Sequence, residues 1–140
     1  MQRNMILVCH AADGHFADGD REGVYRVLAR SEYIVNHLGQ AWYEIICADG
    51  GTLELHAPGL EEPRAFHRME LVLPADSLTL DVLTLIHRLM QAGGFGLMDG
   101  LDTSQMLVTL PQQVVYFPWL PEPPLLVRSA RDLASSIGLH

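Results

Sequence analysis

The segment HAADGHFADGDREG, residues 10–23, is the part of the chain richest in side chains that could do chemistry. It holds two histidines, three aspartates and one glutamate. Carboxylates are the preferred ligands of calcium, and imidazoles combined with carboxylates suit transition metals. The segment therefore suggests a calcium loop, a transition-metal site, or only a polar connection into a helix.

The calcium hypothesis fails on spacing. An EF-hand loop alternates acids over its first positions, has glycine at the sixth and a bidentate glutamate at the twelfth. Counting from Asp18, the acids alternate correctly and Gly23 is the sixth residue, but the twelfth is Ala29. Because the bidentate ligand is missing, we expect Asp18 or Asp20 to cap the helix that follows instead.

A transition-metal site on this segment is the alternative that the residues leave open. His10 and His15 flank Asp13, with Asp18 and Asp20 close behind. No HExxH or comparable ligand spacing accompanies them. A small metal-dependent enzyme or ligand-binding protein is therefore our second hypothesis, and the leading one has no metal and no cofactor.

A second histidine set is separated by strand geometry. His56, His67 and Glu44 have the composition of a facial triad. Pairing the two histidine-bearing strands so that their apolar faces match places His56 beside Arg68 on the outer face and turns His67 inward. The three ligands would then lie on different faces, so we predict no metal site here.

Catalytic motifs are missing from the sequence. There is no GxSxG nucleophile motif, and the neighbouring Cys9 and His10 would point to opposite faces of a strand. All nine basic residues are arginine, so the lysine of phosphate-binding loops, Schiff-base enzymes and SxxK enzymes is absent. We predict no catalytic residue, and expect Cys9 and Cys47 to be buried free thiols.

The net charge of the chain bears on its partner. The formal net charge is −8, with no basic stretch of the kind that contacts nucleic-acid phosphates. An acidic chain suits a basic protein partner better. Apolar runs are shorter than the roughly 18 residues of a membrane helix, and no secretory signal precedes them. We therefore expect a cytoplasmic protein that binds neither nucleic acid nor membrane.

The elements that must position these residues indicate one domain, residues 1–140, of the α+β class. We expect a mostly antiparallel sheet with helices packed on one face, β-α-β-β repeated twice, then a C-terminal strand and a short helix. This order of elements resembles the paired βαβββ modules of the glyoxalase and bleomycin-resistance superfamily, and no residue role is carried over from it. The expected elements are strand 4–10, helix 22–38 (with 24–29 also suited to a strand), strands 42–47, 52–57 and 66–73, helix 76–93 capped by Asp76 or Ser77, short strands in 95–98, 105–110 and 113–117, a proline-rich loop 118–124, and helix 129–138.

The clearest local prediction is the hairpin over residues 42–57. A three-residue loop, Asp49-Gly50-Gly51, would pair Ile45 with Leu55 on the buried face, with Gly51 in the left-handed conformation.

Consecutive predicted strands and helices run alternately up and down along the sheet. This chain path places many acidic residues at one end of the molecule. We name this predicted feature the acidic end; Phe16 and Trp119 would be its aromatics and Arg21 its main cation. Its acids are Asp13, Asp18, Asp20, Asp49, Asp76, Asp99, Asp102 and Glu122. The competing interpretation is that aspartates at strand ends and helix starts only cap and turn the chain.

The leading functional hypothesis is a small binding protein. Negative charge gathered near aromatic anchors is typical of a recognition surface, so we predict an inhibitor or immunity-type protein that blocks a basic partner such as a toxin or nuclease. Pairing of a sheet edge or outer face in a homodimer is a third hypothesis. The predicted partner-binding residues are Asp13, Phe16, Asp18, Asp20, Asp49, Asp99, Asp102, Trp119 and Glu122.

Overall fold

The structure is a computed structural model that describes residues 2–74, 76, 78–117 and 119–137. Within that part it has eight strands, three α-helices and one 3₁₀ helix. In chain order these are β1 (Gln2–Val8), α1 (Arg21–Leu28), β2 (Ile34–Gly39), β3 (Trp42–Ile46), β4 (Thr52–His56), β5 (Arg68–Pro74), α2 (Leu80–Gly93), β6 (Gly96–Asp99), β7 (Leu107–Val108), the 3₁₀ helix (Pro111–Val115), β8 (Leu125–Leu126) and α3 (Ala130–Ser136).

All the strands form one sheet in the order β2-β3-β4-β5-β1-β6-β7-β8. Every neighbouring pair is antiparallel except β7 and β8, which are parallel. The helices share one core with the sheet, and α2 packs against both α1 and α3. The predicted α+β class with a mostly antiparallel sheet is confirmed.

The sheet carries apolar side chains on both of its faces near β1. Met5 and Leu7 lie in the core beneath the helices. Val8 lies in a smaller cluster on the other face, with Met98 of β6 and Phe117. Because successive residues of a strand point to opposite faces, β1 separates the two clusters and belongs to both.

The helix starts and stops follow local capping rules. Asp20 caps α1 by accepting a 3.0 Å hydrogen bond from the backbone N–H of Gly23, as the sequence predicts. The cap of α2 differs from the prediction, because Thr79 accepts from the N–H of Val82 and the helix begins after it. Asp76 lies in a turn before that cap, and Ser77 is outside the described residues. Among the described residues, no helix is long and apolar enough for a membrane crossing.

The predicted helix 22–38 is wrong in its second half. The helix ends at Leu28, and β2 forms an edge strand that pairs with β3. Its exposed Ile34 and Leu38 produce the apparent helical stripe. The turn into β3 has positive φ angles at Gly39, Gln40 and Ala41, so Gly39 starts a tight hairpin turn and does not end a helix.

The C-terminal region contains two further differences. The strand predicted in residues 113–117 is wrong, because Pro111 starts a 3₁₀ helix and the side chain of Gln113 accepts a hydrogen bond from the N–H of Leu110. The strand β8 was not predicted. It is only two residues long and follows a proline-rich loop, so it has no periodicity to recognise.

Two strand pairings, β3 with β4 and β4 with β5, are shifted by two residues from the predicted register. Ile45 pairs with Leu53, and His56 pairs with Glu70 in place of Arg68. The left-handed residue of the loop is Gly50, with φ of 87°, in place of Gly51. A shift of two residues preserves which face a side chain occupies, so the buried and outer faces are those expected.

The extra strand β2 reverses the direction of the elements after it. The predicted chain path ran from the first helix directly into the strand of residues 42–47. In the structure β5 and β6 both run antiparallel to β1, with Val8 opposite Arg68 and Gly96. We refer to the end of the sheet where β1 finishes as the Val8 end, and to the opposite end as the Gln2 end.

Candidate functional site

The acids of the predicted acidic end lie at two opposite ends of the sheet. The loop after β1 keeps Asp13, Asp18 and Asp20 at the Val8 end. The reversed strands carry most of the others to the Gln2 end, and Glu122 lies exposed in the loop between Trp119 and β8. The acids at the Gln2 end are Asp49 after β3, Asp76 after β5, and Asp99 and Asp102 at and after the end of β6. The prediction that all of these acids share one end is therefore wrong.

The acids at the Val8 end hold loops in place. Asp18 accepts a 3.0 Å bond from the N–H of Phe66 and a longer one from Arg21. The Phe66 hydrogen bond is the main reason that the pKa of Asp18 is lowered. Asp13 accepts a 3.0 Å bond from the N–H of His15, which likewise lowers the pKa of Asp13. Both carboxylates remain exposed and charged at neutral pH.

Three of the acids at the Gln2 end, Asp49, Asp99 and Asp102, also have structural partners. Asp49 accepts hydrogen bonds from the N–H of Gly51 and the hydroxyl of Thr79. Asp99 pairs with Arg3 at 3.2 Å. Asp102 accepts from the backbone N–H of the turn residue Ser104 at 3.1 Å. These contacts support the capping and turn interpretation for the acids at this end.

The two predicted aromatic residues do come together, and a histidine lies between them. The ring of His10 is 4.8 Å from that of Phe16 and 5.5 Å from that of Trp119, centroid to centroid. Phe117 closes the group, with its ring centroid 4.7 Å from that of His10 and the two rings in a T-shaped arrangement. Phe16 and Trp119 are 64% and 52% exposed, so both present apolar surface to solvent.

Backbone hydrogen bonds explain how the opening segment presents Phe16. His10 and Phe16 form an isolated antiparallel bridge directly after β1. The N–H of Ala11 donates to the carbonyl of His15, and that of Ala17 donates to the carbonyl of Cys9. The segment is thus a short ordered loop that returns the chain to the end of β1.

His67 lies on the opposite side from the one predicted. Its ring stacks on Phe16 at 4.5 Å with an interplanar angle of 27°. Because Phe16 is exposed, His67 does not enter the core under the helices, and the inward orientation predicted for it is wrong. His67 precedes the regular part of β5, where strand alternation does not yet apply.

These side chains surround a cleft at the Val8 end, which we name the aromatic cleft. Its volume is about 450 Å³, which is within the range of small-ligand and side-chain pockets. Arg68, His15 and Gly14 also border it. Its main lining residues are Val8, His10, Phe16, His67, Met98 and Trp119.

His10 is the most buried polar residue of the aromatic cleft. It is only 8% exposed, and its Nδ1 has no hydrogen-bond partner within the described part of the chain. Burial lowers the pKa of His10, and the nearby His67 lowers it further. Both effects favour the neutral form of the ring, in which one nitrogen donates and the other accepts.

The described residues do not form a metal centre. No group of three or more histidine, cysteine, aspartate or glutamate residues among them is arranged to hold a metal ion. In the predicted His10 and His15 set, His15 is instead paired with Asp13 at 3.4 Å. His56 stacks on Trp42 at 4.5 Å.

Both cysteines are free and buried, which confirms the sequence prediction. Burial, followed by the nearby Asp49 and Asp81, raises the pKa of Cys47 to about 11. A thiol of such high pKa is a poor nucleophile at neutral pH.

Comparison of the chain with protein families, with curated proteins and with solved structures finds no significant match. The proposal of a function therefore rests on the geometry of the aromatic cleft and on the charge of the chain.

Proposed function

We propose that this chain is a protein-binding module and that the aromatic cleft is its docking site. The observation that carries the proposal is the pair of exposed rings, Phe16 and Trp119, at the border of one cleft. Large aromatic side chains dominate the energetics of protein interfaces because they bury much area with few rotatable bonds.

The surroundings of the two rings fit such a role. His10 contacts both, and His67 stacks on Phe16, so the Phe16 ring is packed from two sides although it is exposed. A preorganised anchor loses less side-chain entropy when a partner binds. Phe117 packs against Trp119, with 5.9 Å between the ring centroids, and so restricts the orientation of the Trp119 ring before a partner binds.

Charge points to a basic partner. The net charge of −8 gives the whole molecule a negative field, and Asp13 and Asp18 remain exposed at the same end as the aromatic cleft. Such a field raises the association rate with a basic protein. The finer proposal is an inhibitor or immunity-type protein that occludes a basic toxin or nuclease through this end.

The experiment compares what three versions of the chain capture from cells of the source organism. One is the natural chain, one carries Phe16→Ala and Trp119→Ala, and the control carries Leu80→Ala and Leu101→Ala. The control removes two exposed apolar side chains at the Gln2 end. We expect a basic protein that the natural chain and the control retain and the aromatic variant loses.

The captured protein is then purified and its association rate is measured at low and high salt. We expect at least a tenfold loss of affinity for the aromatic variant, on the order of a typical hot-spot residue, and a rate that falls steeply with salt. A partner that binds the aromatic variant as tightly as the natural chain would refute the docking site. A rate independent of salt would remove the charge argument.

A further inference from the structure

One edge of the sheet is formed by a strand that is open to solvent. β2 is the outermost strand on its side of the sheet, and all of its residues except Val35 are exposed. The strand at the other edge, β8, has only two residues. An edge strand presents backbone N–H and C=O groups that can pair with a strand of another chain. β2 is therefore the edge at which such pairing could occur.

The neighbouring hairpin shows which residues of β2 point their backbone groups outward. The N–H of Cys47 donates to the carbonyl of Gly51. Because backbone groups alternate in direction along a strand, the odd-numbered residues of β3 bond to β4 and the even-numbered ones bond to β2. Val35 and His37 lie opposite odd-numbered residues of β3. Their own N–H and C=O groups therefore point away from β3, towards the open edge.

β2 lacks the side chains that usually prevent edge strands from pairing. Its sequence, IVNHLG, contains no aspartate, glutamate, lysine, arginine or proline, whereas protected edges carry charges or proline. A register shift lies between His37 and Gly39, so the strand is regular from Ile34 to His37. Ile34 and Leu38 are 59% and 53% exposed, and β2 thus presents apolar surface beside its open backbone.

The two exposed apolar residues of β2 lie symmetrically about Asn36. Antiparallel pairing with a second β2 about a two-fold axis at Asn36 places Ile34 of each chain opposite Leu38 of the other. The same register places Val35 opposite His37, the residues whose backbone groups point outward, so they form hydrogen-bonded pairs. Moving the axis by one residue in either direction would place Ile34 and Leu38 opposite polar residues. A two-fold interface requires such self-complementarity, which indicates a second copy of this chain as the occupant.

The negative charge of the chain weakens this pairing without preventing it. Glu44 lies beside Asn36 and accepts a 3.1 Å hydrogen bond from its side-chain amide. The two Glu44 residues of the pair would be about 14 Å apart, which is three strand spacings. That separation exceeds the screening length of about 8 Å at physiological salt, so added salt should strengthen the pairing.

We infer that the chain forms a homodimer in which β2 pairs antiparallel with β2 of a second copy about Asn36, so that two sheets become one. A strand of six residues buries less than the roughly 1,600 Å² of a standard interface, so the dimer is weak and reversible. β2 is separated from β1 by three strands, and both aromatic clefts stay open. The dimer is independent of the proposed function.

The first test is disulfide cross-linking under mild oxidation. Asn36→Cys should give a covalent dimer, because residues that face each other at the axis have Cα atoms about 4.5 Å apart, within disulfide range. Ile34→Cys is the matched control on the same strand and should not link to itself, because its two copies would be over about 10 Å apart. A mixture of Ile34→Cys and Leu38→Cys chains should link. The natural cysteines are buried. An unlinked Asn36→Cys chain, or an Ile34→Cys chain that links equally fast, overturns the inference.

Sedimentation of the natural chain covers the case in which a cysteine variant fails to fold. Between about 10 µM and 1 mM, the range expected for a weak interface, the mean mass should rise from that of one chain towards that of two. Ile34→Lys combined with Leu38→Lys places like charges opposite each other and should weaken the dimer at least tenfold. The control, Leu101→Lys combined with Leu125→Lys, changes two exposed residues at the far side of the sheet and should keep it. A natural chain that stays monomeric throughout, or a dimer that the β2 variant retains, overturns the inference.

Discussion

Asp49 accepts a 3.1 Å hydrogen bond from the backbone N–H of Asp81, and Asp81 accepts a 3.0 Å hydrogen bond from the backbone N–H of Asp49. Asp49 lies in the loop between β3 and β4, and Asp81 lies in the first turn of α2. The reciprocal pair fastens the hairpin loop to the start of the helix. An acid that the sequence assigned to partner recognition thus has a structural role.

The first prediction concerns the stability contributed by Asp49. Asp49→Ala should lower the free energy of unfolding by about 1–2 kcal/mol, the usual cost of losing a helix-capping side chain. Three donors, in Gly51, Thr79 and Asp81, lose their acceptor. Urea unfolding followed by circular dichroism measures the change. Glu54→Ala on the outer face is the control and should change stability by less than about 0.5 kcal/mol.

The second prediction concerns the pH dependence of stability. Partial desolvation raises the pKa of Asp49. The hydrogen bonds that Asp49 accepts outweigh desolvation, so its pKa is lowered. The pKa of Asp18 is lowered mainly by the N–H of Phe66. A folded-state pKa below the unfolded value, about 3.9, stabilises the folded protein above that pH. The contribution is lost as the pH falls through the folded pKa.

The experiment isolates this contribution by subtraction. The variant carrying Asp18→Asn and Asp49→Asn keeps the shape of both side chains and removes their charge. Its deficit in stability relative to the natural chain should be constant above about pH 5 and should shrink below about pH 4. Subtraction cancels the titration of His10 and of other groups. A deficit that is the same at pH 7 and pH 3 would contradict the prediction.

The third prediction contrasts two phenylalanines near Asp18, one buried and one exposed. Phe66 is fully buried and packs against Phe95, whereas Phe16 is mostly exposed. Phe66→Ala should cost about 3–5 kcal/mol of unfolding free energy, and Phe16→Ala about 0.5 kcal/mol. Because both variants remove the same phenyl ring, Phe16→Ala is the control for Phe66→Ala in urea unfolding. If Phe16→Ala were as costly as Phe66→Ala, Phe16 would be a core residue, and its role as a docking anchor would lose support.

The parts of the fold that the sequence predicts well are those with strong local periodicity. The apolar stripe of α2 predicts a helix that ends at residues 93–94, and the helix does end there, with Gly94 in the left-handed conformation. The alternation in β3 and β4 likewise identified a hairpin whose buried face includes Ile45 and Leu55. In each case the pattern and the turn chemistry agree, so local information is sufficient.

The error at β2 arose from a pattern without a buried face. Ile34 and Leu38 are spaced as a helix requires, and an edge strand with few buried residues lacks the alternation that marks a strand. The error also affected distant elements, because one added strand reverses the direction of every strand that follows it. That inversion separated Asp49 and Asp99 from Asp18, although the strands near residues 42–47 and 95–98 were correctly predicted.

The aromatic cleft could be predicted only in part. Phe16 and Trp119 were expected to lie at the same end, and they do. The positions of His10 and His67 depend on irregular backbone just beyond two strand ends, where neither the strand nor the helical period applies. Phe117 contacts both His10 and Trp119 from a segment predicted as a strand, so no pattern in the sequence indicates those contacts.

The last prediction tests how closely α1 and α2 approach. A helical glycine replaced by alanine normally gains stability, by up to about 1 kcal/mol. In α1 the sign should reverse, because a Cβ on Gly23 would lie 2.2 Å from the carbonyl oxygen of Ala92 and 3.0 Å from the capping carboxylate of Asp20. The nearest atom is backbone, so the two helices must separate. We expect Gly23→Ala to cost about 1–3 kcal/mol in urea unfolding, whereas Arg26→Ala on the exposed side of α1 changes stability by about 0.5 kcal/mol or less. A stabilised Gly23→Ala variant would mean that the helices do not pack this closely.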